Sequence, residues 1–341
     1  MKILFGAQPA IAIKKGGLYV QLMSTRAHLE DLGFQVELYS PWKCPRKDEF
    51  LLFHLFGANF STSIIGEQVK NIDIPLVLTP VYFSQHGLFA LKFTNKMNSI
   101  LFKLFKLSTP HIYTKNLFDI ADIILPNTWM EKQLITNGFG VSEKKVRVIH
   151  NGIDKRFLNA SKELFVGKYG VEDFILYVGY IGDERKNTLN FVKAVKGIDK
   201  PVVLIGPVVK SAYGARCMEE IKKDKNIILL EPFPHNSRML ESAYASCDVF
   251  ILPSLFETPG LAALEAGLAG AKIVITKYGG TNEYYRDEAV YIEPRSVTSI
   301  RNGLEKAIGK RKNDLLVNRI KKNFLLDVIV KKTAKIYQEF V

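Results

Sequence analysis

Short apolar runs rich in Ile, Val, Leu and Phe punctuate the first half of the chain at residues 2–5, 35–39, 51–56, 75–78, 123–125 and 146–149. Each has the length and character of a strand buried on both faces. Segments whose apolar residues recur at helical spacing, such as 20–32 and 127–137, lie between several of them. This alternation predicts a parallel sheet covered by helices, because the crossover joining parallel strands runs over a sheet face. The pattern restarts at 174–178 and continues through 202–205, 227–230, 249–252, 273–276 and 290–292. Two successive α/β units are therefore expected, with one more helical pattern at 320–337. Between the units stands H-N-G-I-D at 150–154, where Asn151-Gly152 is a turn signal and a candidate hinge. No repeat of solenoid period is visible.

The 341 residues suit two domains of ordinary size, and a hydrophobic content of 47% excludes a disordered chain. The formal charge of +13 is spread evenly: 17 basic and 11 acidic residues up to position 150, 30 and 23 after it. A nucleic acid, an anionic membrane and an anionic small substrate all fit such a charge. Nucleic acid is disfavoured, since there is no detached basic tail, no recognised binding module and no interleaving of Trp or Tyr with Lys and Arg. Cys44, Cys217 and Cys247 are far apart, which argues against a disulfide scaffold and a zinc site and for a reducing cytosol. At the start, Gly6, Gln8 and Pro9 break the apolar run, so it reads as a first strand and not as a signal peptide. No run approaches the ~20 apolar residues of a membrane-spanning helix.

Open parallel sheets bind ligands at the carboxyl ends of their strands, where loops feed helix N-termini. Gly16-Gly17 is one such place: paired glycines let a backbone approach a phosphate or sugar, or merely make a turn. The loop lacks the G-x-G-x-x-G dinucleotide fingerprint. More specific is F-I-L-P-S-L-F-E-T-P-G-L-A-A-L-E-A-G-L-A-G at 250–270, in which a buried strand, a loop with Glu257 and a largely apolar helix with Glu265 follow one another. If the helix begins near Pro259, Glu257 stands at its mouth and Glu265 about one turn further in, placed to accept two vicinal hydroxyls of a sugar or ribose. The alternative is a capping Glu followed by a solvated one.

At this point the chain resembles the retaining glycosyltransferases of family 4, whose hallmark is two Glu separated by seven residues, matched by Glu257 and Glu265. The resemblance extends over L-E-D-L-G-F-Q-V-E-L at 29–38, A-D-I-I-L-P-N-T at 121–128, V-I-H-N-G-I-D at 148–154, Y-V-G-Y-I-G-D-E-R-K-N at 177–187, S-C-D-V-F-I-L-P-S at 246–254 and Y-G-G-T-N-E-Y-Y at 278–285. It implies an α/β protein of the GT-B fold, two Rossmann-like doubly wound domains facing a central cleft. The acceptor-side domain would span 1–150, the nucleotide-sugar domain 151–325, and a helix at 326–341 would return to the first domain.

The resemblance also implies roles. Glu257 would lie against the donor sugar, Glu265 would hold the ribose, and Thr258, Pro259, Gly260 and Leu261 would line the sugar and diphosphate, with Gly16 and Gly17 facing them from the first domain. Lys186 matches the family's diphosphate-clamping Lys; Tyr180 occupies the position of its companion Arg, for which Arg185 would substitute. Many members carry an active-site His after the fourth strand, where this chain reads L-T-P-V-Y-F-S at 78–84 and has His86 shortly beyond. The loop from Glu231 to His235 would face the base. The implied activity is a retaining, metal-independent transfer of a hexose from a UDP- or GDP-sugar to a glycan or lipid-linked acceptor in cell-surface polysaccharide synthesis, by front-face displacement without a protein nucleophile. No cofactor and no metal are expected: no D-x-D pair and no His pair at metal spacing occur. A GT-B epimerase or phosphorylase is the alternative enzyme, and a basic nucleic-acid-binding protein the alternative class.

From Ile74 to Phe118 there is no acidic residue, while Lys92, Lys96, Lys103, Lys106 and Lys115 fall within the segment. As a helix, the first four share an arc of about 80°, and Phe93, Met97, Ile100, Leu101, Leu104 and Phe105 take the other side. A basic amphipathic helix fits an anionic membrane surface, a face lining an acceptor cleft, or a solvated lysine face. The expected location is cytoplasmic, with peripheral attachment to the inner face of the membrane.

Overall fold

The computed structural model describes residues 2–13, 16–84, 87–105 and 109–341, with the backbone alone at 96 and 99–105. The chain divides into two compact units, Met1–Gly152 with Leu326–Val341, and Ile153–Leu325.

In the first unit the strands β1 (Lys2–Ala7), β2 (Gln35–Leu38), β3 (Leu52–Phe56), β4 (Leu76–Thr79) and β5 (Ile123–Ile124) form a parallel sheet in the order β2-β1-β3-β4-β5. Every residue of β3 and β4 is buried, which is why these strands read as continuous apolar runs and not as alternation. The expected strand at 146–149 is absent. Val146 makes one isolated bridge to Ile124, and Arg147 and Ile149 donate to the carbonyls of Ile124 and Pro126. The next rung would need an N–H from Pro126, which has none, so the ladder stops.

The apolar pattern at 320–337 also does not form one helix. Helices Leu315–Asn323 and Leu326–Tyr337 are separated by Phe324 and Leu325, whose backbone is taken up by Ile153: its amide donates to the Phe324 carbonyl, and it bridges Leu325 in parallel. The second helix packs in the first unit against the helix Gly17–Asp31. Its last residue, Tyr337, is fully buried, and its hydroxyl hydrogen-bonds Nδ1 of His54 in the middle of β3. His54 Nε2 lies 2.8 Å from Thr79 Oγ1 at the end of β4, so one imidazole ties the C-terminal helix to two strands. Burial pushes this imidazole down to about 3, and it is neutral at ordinary pH.

The second unit holds β6 (Phe174–Val178), β7 (Val202–Ile205), β8 (Ile227–Leu230), β9 (Cys247–Leu252), β10 (Lys272–Thr276) and β11 (Ala289–Ile292), all parallel, in the order β11-β10-β9-β6-β7-β8. Each matches an apolar run of the sequence to within two residues. Both sheets are doubly wound: the strand order reverses beside β1 in the first and between β6 and β9 in the second. Chain segments leave such a switch point toward opposite faces, which opens a crevice at the carboxyl ends of the strands.

Because the unfolded chain protonates His54 at mildly acid pH and the folded chain does so only near pH 3, stability should fall as pH drops below about 6.5. The share of this residue is at most about 1.4 kcal/mol per pH unit. Denaturant titrations of wild type and His54→Gln from pH 7 to pH 4 check this. The variant is expected to be weaker at pH 7 and to have the shallower pH dependence; parallel curves would remove His54 from the linkage.

Candidate active site

At the switch point of the second unit, β6 runs into Gly179-Tyr180 and β9 into Pro253, and the two loops are stitched together by their backbones. The amide of Leu255 donates to the Arg185 carbonyl over 2.8 Å. Asp183 accepts from the Arg185 amide at 3.0 Å and starts the single turn Glu184–Lys186. That turn is stopped by Asn187, which sits in the left-handed region at φ 56° and donates its side-chain amide to the carbonyls of Pro253 and Pro294. Asn is one of the few side chains that tolerate this conformation.

These constraints deliver two cations to one carboxylate. Lys186 Nζ is 2.6 Å from Glu257 Oε1, and Arg185 Nη1 is 3.3 Å from the same oxygen and 3.3 Å from the Phe256 carbonyl. The Glu257 and Lys186 side chains are 10% and 16% exposed, whereas Arg185 is 40% exposed. Burial raises the Glu257 carboxyl, but Lys186 and Arg185 beside it more than reverse this and hold it below its usual range. Burial, helped by Arg185, keeps the Lys186 ammonium below its ordinary value despite Glu257. The backbone of Glu257 is fixed as well: its amide donates to the Tyr278 carbonyl and its carbonyl accepts from Gly280. Gly279 lies between these at φ +93°, where a Cβ would stand 1.8 Å from the Glu257 carbonyl oxygen, so only glycine fits.

The helix after this loop is Leu261–Leu268, two residues later than the spacing predicts, and its N-cap is Gly260 in the left-handed region at φ 72°. No side chain caps it among the described residues, so Glu257 is not the capping Glu of the alternative reading. The carbonyls of Pro259 and Gly260 accept from the Tyr285 hydroxyl at 3.1 and 3.0 Å. Thr258 and Leu261 are half-buried.

Glu265 occupies the fifth position of the helix and is 4% exposed, which excludes a solvated face. It does not join the Glu257 cluster. Its Oε1 accepts from His235 Nε2 at 2.7 Å and its Oε2 from the Tyr244 hydroxyl at 3.1 Å. Burial, reinforced by Glu265, raises the Tyr244 phenol well above its ordinary value, so it stays a donor. Tyr180, in the position of the expected Arg, is half-buried, and its carbonyl accepts from the Tyr177 hydroxyl at 3.0 Å. In the first unit Gly16 is the N-cap and Gly17 the first residue of the helix that follows β1. His86 and Lys106 lie outside the described residues, as do the side chains of Lys96 and Lys103. Tyr244, Asn187 and Arg156, which donates to the His235 carbonyl at 2.6 Å, were not singled out by their sequence context. Among the described residues no three His, Cys, Asp or Glu side chains gather as a metal site would require, and no helix is long and apolar enough to cross a membrane.

Residues 172–310, which include Arg185, Lys186, His235, Tyr244, Glu257 and Glu265, match the family model of glycosyl transferases group 1. A glycosyltransferase of Methanocaldococcus jannaschii is 28% identical over 228 residues, 61% of this chain and 57% of the relative. The UDP-Gal:alpha-D-GlcNAc-diphosphoundecaprenol alpha-1,3-galactosyltransferase of Escherichia coli is 25% identical over 304 residues, 84% of this chain and 72% of the relative. The chain spans about half the length of several other curated relatives that it matches. Among solved structures, HepE from Anabaena in complex with UDP-glucose superimposes with a TM-score of 0.74 at 17% identity, covering 99% of this chain and 100% of the other. Two Rossmann-like units and this structural likeness lead to one assignment: the chain has the GT-B fold, and its segment 172–310 is similar to the glycosyl transferases group 1 family.

Proposed function

We propose that the protein is a retaining, metal-independent hexosyltransferase that uses a nucleoside-diphosphate sugar, with the diphosphate bound against Lys186 and Arg185 and the ribose on Glu265. The observation that carries this reading is the pair of cations held on Glu257 at the β6–β9 switch point. A diphosphate gains negative charge as its bond to the sugar breaks. Cations already fixed in a half-dry site stabilise that charge without reorganising. The N-terminus of the helix Leu261–Leu268, which no side chain caps among the described residues, adds backbone amides and a favourable dipole. Glu257, with its charge balanced by Lys186, is the carboxylate that would meet the donor sugar. Sugar nucleotides fit the likeness to a protein crystallised with UDP-glucose.

On the acceptor side we read a lipid-linked glycan, in cell-surface polysaccharide synthesis at the inner face of the membrane; the name of the Escherichia coli relative points to an acceptor of that kind. The helix Leu88–Phe105 supports attachment there. It meets its own unit through Leu91, which is buried, through Asn98, and through Asn95, which donates to the Gly138 carbonyl. Phe89, Phe93 and Met97 lie nearly opposite, 90%, 68% and 39% exposed, with Lys92 between the two faces and exposed. Apolar side chains flanked by lysine on a helix without acids are suited to the boundary between headgroups and acyl chains.

Three outcomes follow. Glu265→Ala should weaken UDP or GDP binding by about tenfold or more, as loss of a hydrogen bond to a charged group does, while Glu257→Ala should mainly lower transfer; calorimetry with the free nucleotide would contradict the ribose role if Glu265→Ala bound as wild type does. Lys186→Ala should lose most turnover in the presence and absence of EDTA. Activity that vanishes in EDTA and returns with Mg²⁺ or Mn²⁺ would overturn the metal-free reading. Wild type should sediment with vesicles of anionic phospholipid and be weakened by salt, and the variant Phe89→Ser with Phe93→Ser should not sediment. Equal sedimentation of the two, or none of wild type, would remove the helix from membrane attachment.

A further inference from the structure

We infer that His235 is a latch on the ribose site: its bond to Glu265 is the one that an entering nucleotide displaces. This rests on the proposed ribose role of Glu265. The carboxylate of Glu265 is 5% exposed. One of its oxygens is held by Tyr244, itself 1% exposed and rooted in the helix Arg238–Ser246. The other is held by His235, whose side chain is 38% exposed, in the loop that follows β8. The two partners therefore differ in kind: Tyr244 is a fixed wall, and the imidazole is the cover between the carboxylate and solvent.

The loop itself is anchored at the His235 carbonyl, and the ring is held through its two nitrogens. Arg156 donates to the His235 carbonyl at 2.6 Å, and its guanidinium is paired with Glu241 at 3.5 Å and lies 4.5 Å from the centre of the Phe157 ring. The same guanidinium is 3.4 Å from His235 Nδ1, which sets that nitrogen as acceptor and Nε2 as the N–H donor to Glu265. A ribose offers hydroxyl donors of the same kind as this N–H. Reaching a buried carboxylate from the solvent side, one of them replaces the imidazole at Oε1 and does not add to it. The bond to His235 is lost in the exchange, so the latch lowers nucleotide affinity while keeping Glu265 paired and aligned in the empty enzyme.

The probes are UDP and 2′,3′-dideoxyuridine diphosphate, with binding measured by calorimetry on wild type, His235→Ala and His235→Gln. Removing the competing donor should tighten UDP binding to His235→Ala by about tenfold, the equivalent of one hydrogen bond to a charged group. His235→Gln keeps a donor and should stay near wild type. The dideoxy compound should bind wild type more weakly than UDP does and should gain nothing from His235→Ala. Unchanged or weaker UDP binding by His235→Ala, with discrimination against the dideoxy compound intact, would overturn the latch and leave the ribose reading standing. Equal binding of the two nucleotides by wild type would overturn the ribose reading and the latch with it.

Discussion

The second unit is organised around an ion pair that is costly to make: Lys186 and Glu257, both largely withdrawn from water, 2.6 Å apart at the carboxyl ends of β6 and β9. Taking two charges out of water costs several kcal/mol per ion, and attraction between them offsets this only when the geometry is closely held. The surrounding backbone supplies that hold. Asp183 shapes the turn that presents Arg185 and Lys186, Asn187 reverses the chain behind them, and Gly279 admits the Glu257 backbone at a distance no other residue allows. So many local constraints on a pair of charges at a sheet's switch point are what the proposed binding of a diphosphate would require.

The two carboxylates of the E-x7-E spacing have different surroundings. Glu257 faces cations and has a partly exposed Arg185 beside it, whereas Glu265 is buried between a phenol and an imidazole. Their separation along one short helix explains the difference: Glu257 precedes the first turn by four residues and belongs to the loop, and Glu265 points from the second turn into the packing of the helix Arg238–Ser246. One site is therefore electrostatically open and the other closed by a phenol and an imidazole.

Much of the fold was legible because strands buried on both faces leave continuous apolar runs; β6, β7 and β8 coincide with theirs to the residue. The failures have local causes that no hydrophobic pattern carries. At 146–149 the side chains are right for a strand, but the missing N–H of Pro126 on the neighbouring segment ends the ladder. At 324–325 the apolar periodicity continues, but the backbone is needed to pair with Ile153. In the candidate site, the spacing of Glu257 and Glu265 was visible, and the roles given to Arg185 and Lys186 came from family resemblance. Their meeting with Glu257, 72 and 71 residues away, and the enclosure of Glu265 by Tyr244 and His235, 21 and 30 residues away, are products of sheet topology that composition and spacing do not encode.

A double-mutant cycle on Lys186→Met and Glu257→Gln, followed by denaturant unfolding, tests the organising role of this pair most directly. Each single variant strands a buried charge or removes its partner, and a loss of about 3 to 5 kcal/mol is expected for it. The double variant removes both charges and should be more stable than the sum of the two losses predicts, by more than about 1 kcal/mol. Losses that simply add would contradict the account, since Lys186 and Glu257 would then contribute to the second unit independently of each other.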